Sequence, residues 1–92
     1  MIKTFANQVT ADVFAGKRVA RWAHILTVAT RKLQQLDSAA TLDSLRVPPG
    51  NRLEALVGDR KGQHSLRIND PWRLCFVWRD DGVHQVEIVD YH

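Results

Sequence analysis

The spacing of apolar residues changes once along this chain, and that change restricts the fold more than any other feature. Trp22, Ile25, Leu26, Ala29, Leu33 and Leu36 recur at intervals of three and four, the stripe of an amphipathic helix lying on a core. From His64 onward the interval becomes two. His64, Leu66 and Ile68 alternate with Ser65, Arg67 and Asn69, and Trp72, Leu74, Phe76 and Trp78 alternate with Arg73, Cys75, Val77 and Arg79, as in strands with one buried face. Between the two patterns, residues 41–50 end in Pro48-Pro49-Gly50, which can neither continue a helix nor pair inside a sheet. A helical half followed by a stranded half predicts an α+β protein.

Shorter signals complete the expected outline. Residues 2–5 alternate and suggest a short first strand. Thr10 reads as an N-cap, with Asp12 in the first turn, Val13 and Phe14 apolar, and Gly16 as the stop. A further strand is expected over residues 52–57. The turn sequences Gly58-Asp59-Arg60-Lys61-Gly62, Asn69-Asp70-Pro71 and Asp80-Asp81-Gly82 separate the strands, and the last strand runs from Val83 towards His92. Turns this short join antiparallel neighbours. The expected architecture is two N-terminal helices packed on one face of a small, mostly antiparallel sheet, covering Trp72, Leu74 and Phe76. Arg67 and Arg73 then point away from the helices, onto an open cationic face bordered by Asp90-Tyr91-His92. With 92 residues, residues 1–92 suit one compact domain with a thin core and a shallow site.

Charge is unevenly placed. The net charge is only +3, yet residues 1–36 hold six basic groups and one acid, and residues 80–92 hold four acids and neither Lys nor Arg. Residues 46–79 carry seven basic groups, six of them arginine, against three acids, a balance suited either to a polyanion or to solubilising strand faces and sheet edges. Lys17, Arg18, Arg21, Arg31 and Lys32 offer a basic face in the helical half, either for an acidic partner or as a solvated helix surface. Cys75 is the only cysteine and cannot close an intramolecular disulfide, and the first residues lack a signal-peptide pattern, so a reducing cytoplasm is expected. Residues 23–29 are far too short an apolar stretch to span a membrane. The four histidines and one cysteine have no zinc-ligand spacing. His64 reads as a packing residue, His24 and His84 as solvated, and the three tryptophans as packing groups.

In order along the chain, Pro48-Pro49-Gly50-Asn51-Arg52-Leu53-Glu54-Ala55-Leu56, Gly58-Asp59-Arg60-Lys61-Gly62, Ser65-Leu66-Arg67-Ile68-Asn69-Asp70-Pro71-Trp72-Arg73-Leu74-Cys75-Phe76 and Val86-Glu87-Ile88-Val89-Asp90-Tyr91-His92 resemble the HigB-type toxins of bacterial toxin-antitoxin systems. These belong to the RelE/ParE superfamily. The resemblance implies a RelE-like fold and a metal-independent, ribosome-dependent endoribonuclease that cuts mRNA in the ribosomal A site and inhibits translation. It also implies a HigA-type helix-turn-helix antitoxin as partner, with operator DNA reached only through that antitoxin. No cofactor and no membrane association is implied.

In such chemistry a base takes the ribose 2′-OH proton, cations stabilise the phosphorane, and an acid protonates the leaving 5′-oxygen. His92, Asp90 and Tyr91 match the family's functional C-terminal residues, and Arg73 matches its phosphate-contacting arginine. Arg52, Arg60, Lys61 and Arg67 are the expected RNA-binding cations. Two positions depart from the family. Glu54 stands where some members have a catalytic histidine, and Val57 where many have a lysine. Glu54 is either a general base or a counter-ion for Arg52 or Arg73. A ParE-like toxin that binds a protein target such as DNA gyrase, or an inactive antitoxin-binding module, is the alternative.

Overall fold

The computed structural model describes residues 1–90. The first helix, α1, spans Gln8–Phe14 and is capped by Asn7, whose Oδ1 accepts the Thr10 N–H at 3.0 Å. Thr10, expected as the cap, lies inside the helix. Starting one turn earlier puts Thr10 on the same inward face as Val13; both are buried, and Thr10 Oγ1 accepts the Ile88 N–H at 3.1 Å. Asp12 then falls beyond the first turn, where it takes a hydrogen bond from Gln8 at 2.9 Å and faces Lys17 at 3.6 Å.

The long helix, α2, spans Leu26–Ser38 and buries Ala29, Leu33 and Leu36. Trp22 and Ile25 belong to the same buried stripe, but they precede the helix: Trp22 ends a 3-10 turn over Ala20–Trp22, and Ile25 holds the N-cap position without a side-chain cap. Among the described residues, no helix is long and apolar enough to cross a membrane.

Strands β1 (Glu54–Ala55), β2 (His64–Arg67), β3 (Trp72–Arg79) and β4 (Gly82–Asp90) form one antiparallel sheet in chain order. Leu66, Leu74 and Ile88 stand opposite one another and are buried under the helices. The next row, Arg67, Arg73 and Val89, faces the other way. β1 is shorter than the expected strand because both its ends are bent: Pro49–Asn51 and Gly58–Arg60 are 3-10 turns, and Arg52 is left-handed.

The expected first strand is reduced to two isolated parallel bridges, Ile2 with Val83 and Phe5 with Val86, along the edge of β4. A bulge in β4 explains how this edge works. Cys75 faces Glu87 but Val77 faces His84, so β4 carries one extra residue, and Gln85 has φ 53°. Val83 and Val86, three apart, would otherwise lie on opposite faces; both are fully buried. The bulged Gln85 N–H donates to Thr4 Oγ1 at 2.9 Å, which satisfies the backbone group the bulge removes from the ladder.

Candidate RNA-binding face

Arg67 and Arg73 occupy directly opposed positions on β2 and β3, on the side of the sheet away from the helices. Adjacent guanidinium groups repel, so each has a counter-charge. Arg67 Nη2 meets Asp70 Oδ1 at 2.6 Å across the β2–β3 turn. Arg73 Nη1 lies 3.7 Å from Glu54 Oε1 on β1, and Arg73 Nη2 donates to the Arg52 carbonyl at 2.8 Å. The Arg73 side chain is only 12% exposed, and among the described residues its buried Nε–H has no acceptor. Glu54 is 55% exposed, on the open side of the pair.

The Asp70 carboxyl is held below its usual range by the hydrogen bond from Arg67, then by that arginine's charge, with a smaller contribution from Arg52. Any stability from this pair is present above the ordinary carboxylate range and lost as pH falls through the lowered folded value. Asp70 also neutralises Arg67 towards an incoming polyanion. Asp70→Asn is expected to tighten RNA binding about two- to fivefold at low salt and to steepen the salt dependence. Filter binding across a salt series checks both.

Arg52 adopts φ 46° and ψ 58° immediately after the Pro49–Asn51 turn, a conformation costing about 1 kcal/mol for a residue with a Cβ. Its neighbour Asn51 is fully buried. Asn51 Nδ2 donates to the carbonyls of Leu45 at 3.0 Å and Val47 at 3.3 Å and to Gln35 Oε1 at 3.1 Å, while Asn51 Oδ1 accepts from Lys32 Nζ. Lys32 was expected on an exposed basic face. Instead it is 8% exposed, and burial, followed by the charges of Arg31 and Arg67, lowers its pKa. Helical periodicity cannot reveal this, because a lysine stem packs as readily as it projects. The remaining members of that face, Lys17, Arg18, Arg21 and Arg31, are exposed.

The other expected RNA-binding residues are placed differently from one another. Lys61 is exposed in the β1–β2 loop. Arg60, in the same loop, donates to Gln63 Oε1 at 3.1 Å and to Glu87 Oε1 at 3.2 Å. Glu54, Ser65, Cys75 and Glu87 form one transverse row, so Arg60 must cross that row to reach β4. The face expected to be open is therefore partly roofed, and Ser65 and Cys75 are fully buried. Asp90 stands opposite Trp72; strand alternation assigns it to the side carrying Leu74 and Ile88, not the side carrying Arg73. Tyr91 and His92 lie outside the described residues.

Three histidines are accounted for by packing or pairing. His64 stacks on Phe76, with ring centroids 6.2 Å apart. His84 is not solvated: its side chain is 13% exposed and Nε2 lies 2.8 Å from Asp81 Oδ1, an interaction that holds the Asp81 carboxyl low. His24 is exposed, with its ring 5.9 Å from Trp72, which also meets Trp22 edge-on at 5.4 Å.

The face thus has the makings of a phosphodiester site: two opposed guanidiniums, one with an N–H unpartnered among the described residues, and a carboxylate at their edge. The fold is that of a known group of toxins. A chain of the YoeB-YefM complex from Staphylococcus aureus aligns over 100% of this chain and 98% of its own length, with TM-score 0.61 and 18% identity. A chain of a heterotetrameric YoeB-YefM toxin-antitoxin complex from the same organism gives TM-score 0.57 at 17% identity. At these identities the likeness concerns the α+β, RelE-like fold alone. The sequence is more specific: the family described as the RelE-like toxin of type II toxin-antitoxin system HigB matches residues 4–92. This chain belongs to the HigB-like toxin family.

Among its relatives, Toxin HigB-1 of Vibrio cholerae serotype O1 (strain ATCC 39315 / El Tor Inaba N16961) is 48% identical over 62 residues, 67% of this chain and 64% of that toxin. An uncharacterized protein of Haemophilus influenzae (strain ATCC 51907 / DSM 11121 / KW20 / Rd) is 28% identical over 64 residues, 70% of this chain and 63% of that protein. The alignments span just under two thirds of each relative's length.

Proposed function

We propose that this toxin is an endoribonuclease that cuts mRNA on the ribosome and so inhibits translation in the cytoplasm. One observation carries the proposal: Arg73 is held against the Arg52 carbonyl beside Arg67, with its Nε–H unpartnered among the described residues. A guanidinium so held suits a phosphate whose charge increases during reaction. The ribose 2′-OH is the nucleophile. Its oxygen bonds to phosphorus, the bond to the 5′-oxygen breaks, and the products are a 2′,3′-cyclic phosphate and a 5′-hydroxyl. RNA supplies its own nucleophile, so the reaction requires proton transfer and charge stabilisation rather than a metal.

In this reading Arg73 grips the phosphate, and Arg67, Arg52 and Lys61 hold the flanking backbone. Arg60 contributes only when released from Glu87. His92 is the proton-transfer group, since imidazole titrates near neutral pH, with Tyr91 assisting it; Asp90, on the side of β4 that carries Ile88, faces away from Arg73 and takes no part at the phosphate. Glu54 acts as a counter-ion rather than a base: it is more than half exposed and lies 3.7 Å from the arginine it balances. Glu54→Gln is expected to leave single-turnover cleavage equal or up to about threefold faster and to tighten RNA binding. A drop on the order of 10² with unchanged binding would instead make Glu54 the base.

The partner in this proposal is a HigA-type helix-turn-helix antitoxin, through which operator DNA is reached. Its support is that one structural neighbour is a chain of a heterotetrameric YoeB-YefM toxin-antitoxin complex. Mapping mRNA 5′ ends in cells expressing the chain tests the function: new ends within translated regions are expected. Growth arrest with intact mRNA would favour a protein target such as gyrase.

A further inference from the structure

Lys32 is difficult to explain as a packing residue. It is buried to 8% exposure on α2, and among the described residues it has no acidic partner; its contact is the neutral Oδ1 of Asn51. A buried cation without a counter-charge is unfavourable, and an apolar side chain of similar length would fill the same space without that cost. What lies beyond the contact suggests why a cation is there. Asn51 ends the turn that precedes left-handed Arg52, and the Arg52 carbonyl is the acceptor for Arg73 Nη2 at 2.8 Å.

Three connections therefore lead from the helical layer to the RNA-binding face. Lys32 fixes the Asn51 side-chain oxygen, Asn51 is bound to Leu45, Val47 and Gln35 through its amide nitrogen, and the next peptide presents its carbonyl to the guanidinium. The Asn51 amide nitrogen ties the turn to the segment before it and, through Gln35, to α2, and the oxygen adds a second tie to α2 through Lys32.

We infer that Lys32 and Asn51 are positioning residues for Arg73, setting the Arg52 carbonyl so that the Arg73 guanidinium is oriented before RNA arrives. The inference rests on the proposed role of Arg73 at the phosphate. Neither residue touches substrate. Their effect is on geometry, and an error on the order of 1 Å in a group that stabilises the transition state is sufficient to slow chemistry substantially.

Lys32→Met is the direct test, because it removes the charge and the donor while retaining length and apolar volume. Single-turnover cleavage is expected to fall about tenfold, RNA affinity to change less than about twofold, and thermal unfolding to stay within a few degrees of the parent. In an Arg73→Ala background the same substitution should cost less than about twofold, since the group it positions is absent. Equal losses in the two backgrounds, or no loss in either, would overturn the inference.

A second readout does not depend on activity. The Arg73 Nε–H correlation in a nitrogen-15 spectrum should shift or broaden in Lys32→Met, and an unchanged signal would also overturn it. Should Arg73→Ala cleave as well as the parent, the proposed function fails, while the spectrum still decides whether Lys32 sets Arg73. If Lys32→Met does not fold, Lys32→Gln is read in the same two ways.

Discussion

Arg73→Ala is expected to lower the single-turnover rate of mRNA cleavage by about 10²–10³, equivalent to about 2.7–4 kcal/mol of lost transition-state stabilisation. The size follows from the environment of the side chain. Arg73 is 12% exposed, so water screens its charge weakly and the guanidinium acts on a phosphate from a poorly solvated position. It is also oriented in advance by the Arg52 carbonyl, so less reorganisation accompanies the charge build-up. Arg73→Lys retains the charge but cannot bond that carbonyl and two phosphate oxygens in the same fork, and should remain at least about tenfold below the parent. RNA binding should weaken much less than cleavage, because Arg67, Arg52 and Lys61 remain. Rates at saturating enzyme, with circular dichroism to confirm the fold, measure the effect.

The largest expected effect on stability is at Asn51. Asn51→Ala removes the acceptor for Lys32 and the donor to Leu45, Val47 and Gln35 in one step. Leaving a buried cation without its partner costs about 3 kcal/mol or more. In a domain of this size that lowers Tm by about 12–20 °C. Adding Lys32→Met to Asn51→Ala should recover more than half of the loss, since the orphaned charge is then gone. Differential scanning calorimetry on the parent, both single variants and the double variant measures it. A Tm change under about 3 °C for Asn51→Ala would mean that the turn is held by its backbone alone.

The helical stripe and the strand alternation carried most of the fold into the sequence. Ile25, Ala29, Leu33 and Leu36 are core residues as their spacing requires, and Arg67 and Arg73 share the outer face because strand period leaves them no other. The details that were not legible are those set by single side chains. Asn7 and Thr10 are both capping types, and only the burial of Thr10 under Ile88 separates them. The β4 bulge leaves no periodic signal, since Gln85 is an ordinary residue in an uncommon conformation.

The site shows the same division. That Arg67 and Arg73 share one face follows from alternation, whereas Glu54, as a base or as a counter-ion for Arg52 or Arg73, stands out only through the family resemblance. The link from Arg60 to Glu87 spans 27 residues and the contact from Lys32 to Asn51 spans 19, and neither has a sequence signature. Asn51, next to Pro49 and Gly50, reads as an ordinary turn residue. Only its burial and its four hydrogen-bond partners distinguish it.

Purified ribosomes programmed with a defined mRNA test most directly whether the Arg73 face cuts mRNA on the ribosome, as proposed. Addition of the parent toxin should yield fragments with 5′-hydroxyl and 2′,3′-cyclic phosphate ends at the A-site codon, while folded Arg73→Ala should yield them about 10²–10³ more slowly. Intact mRNA with the parent toxin, under conditions where it still arrests growth, would contradict the claim, as would equal cleavage by Arg73→Ala.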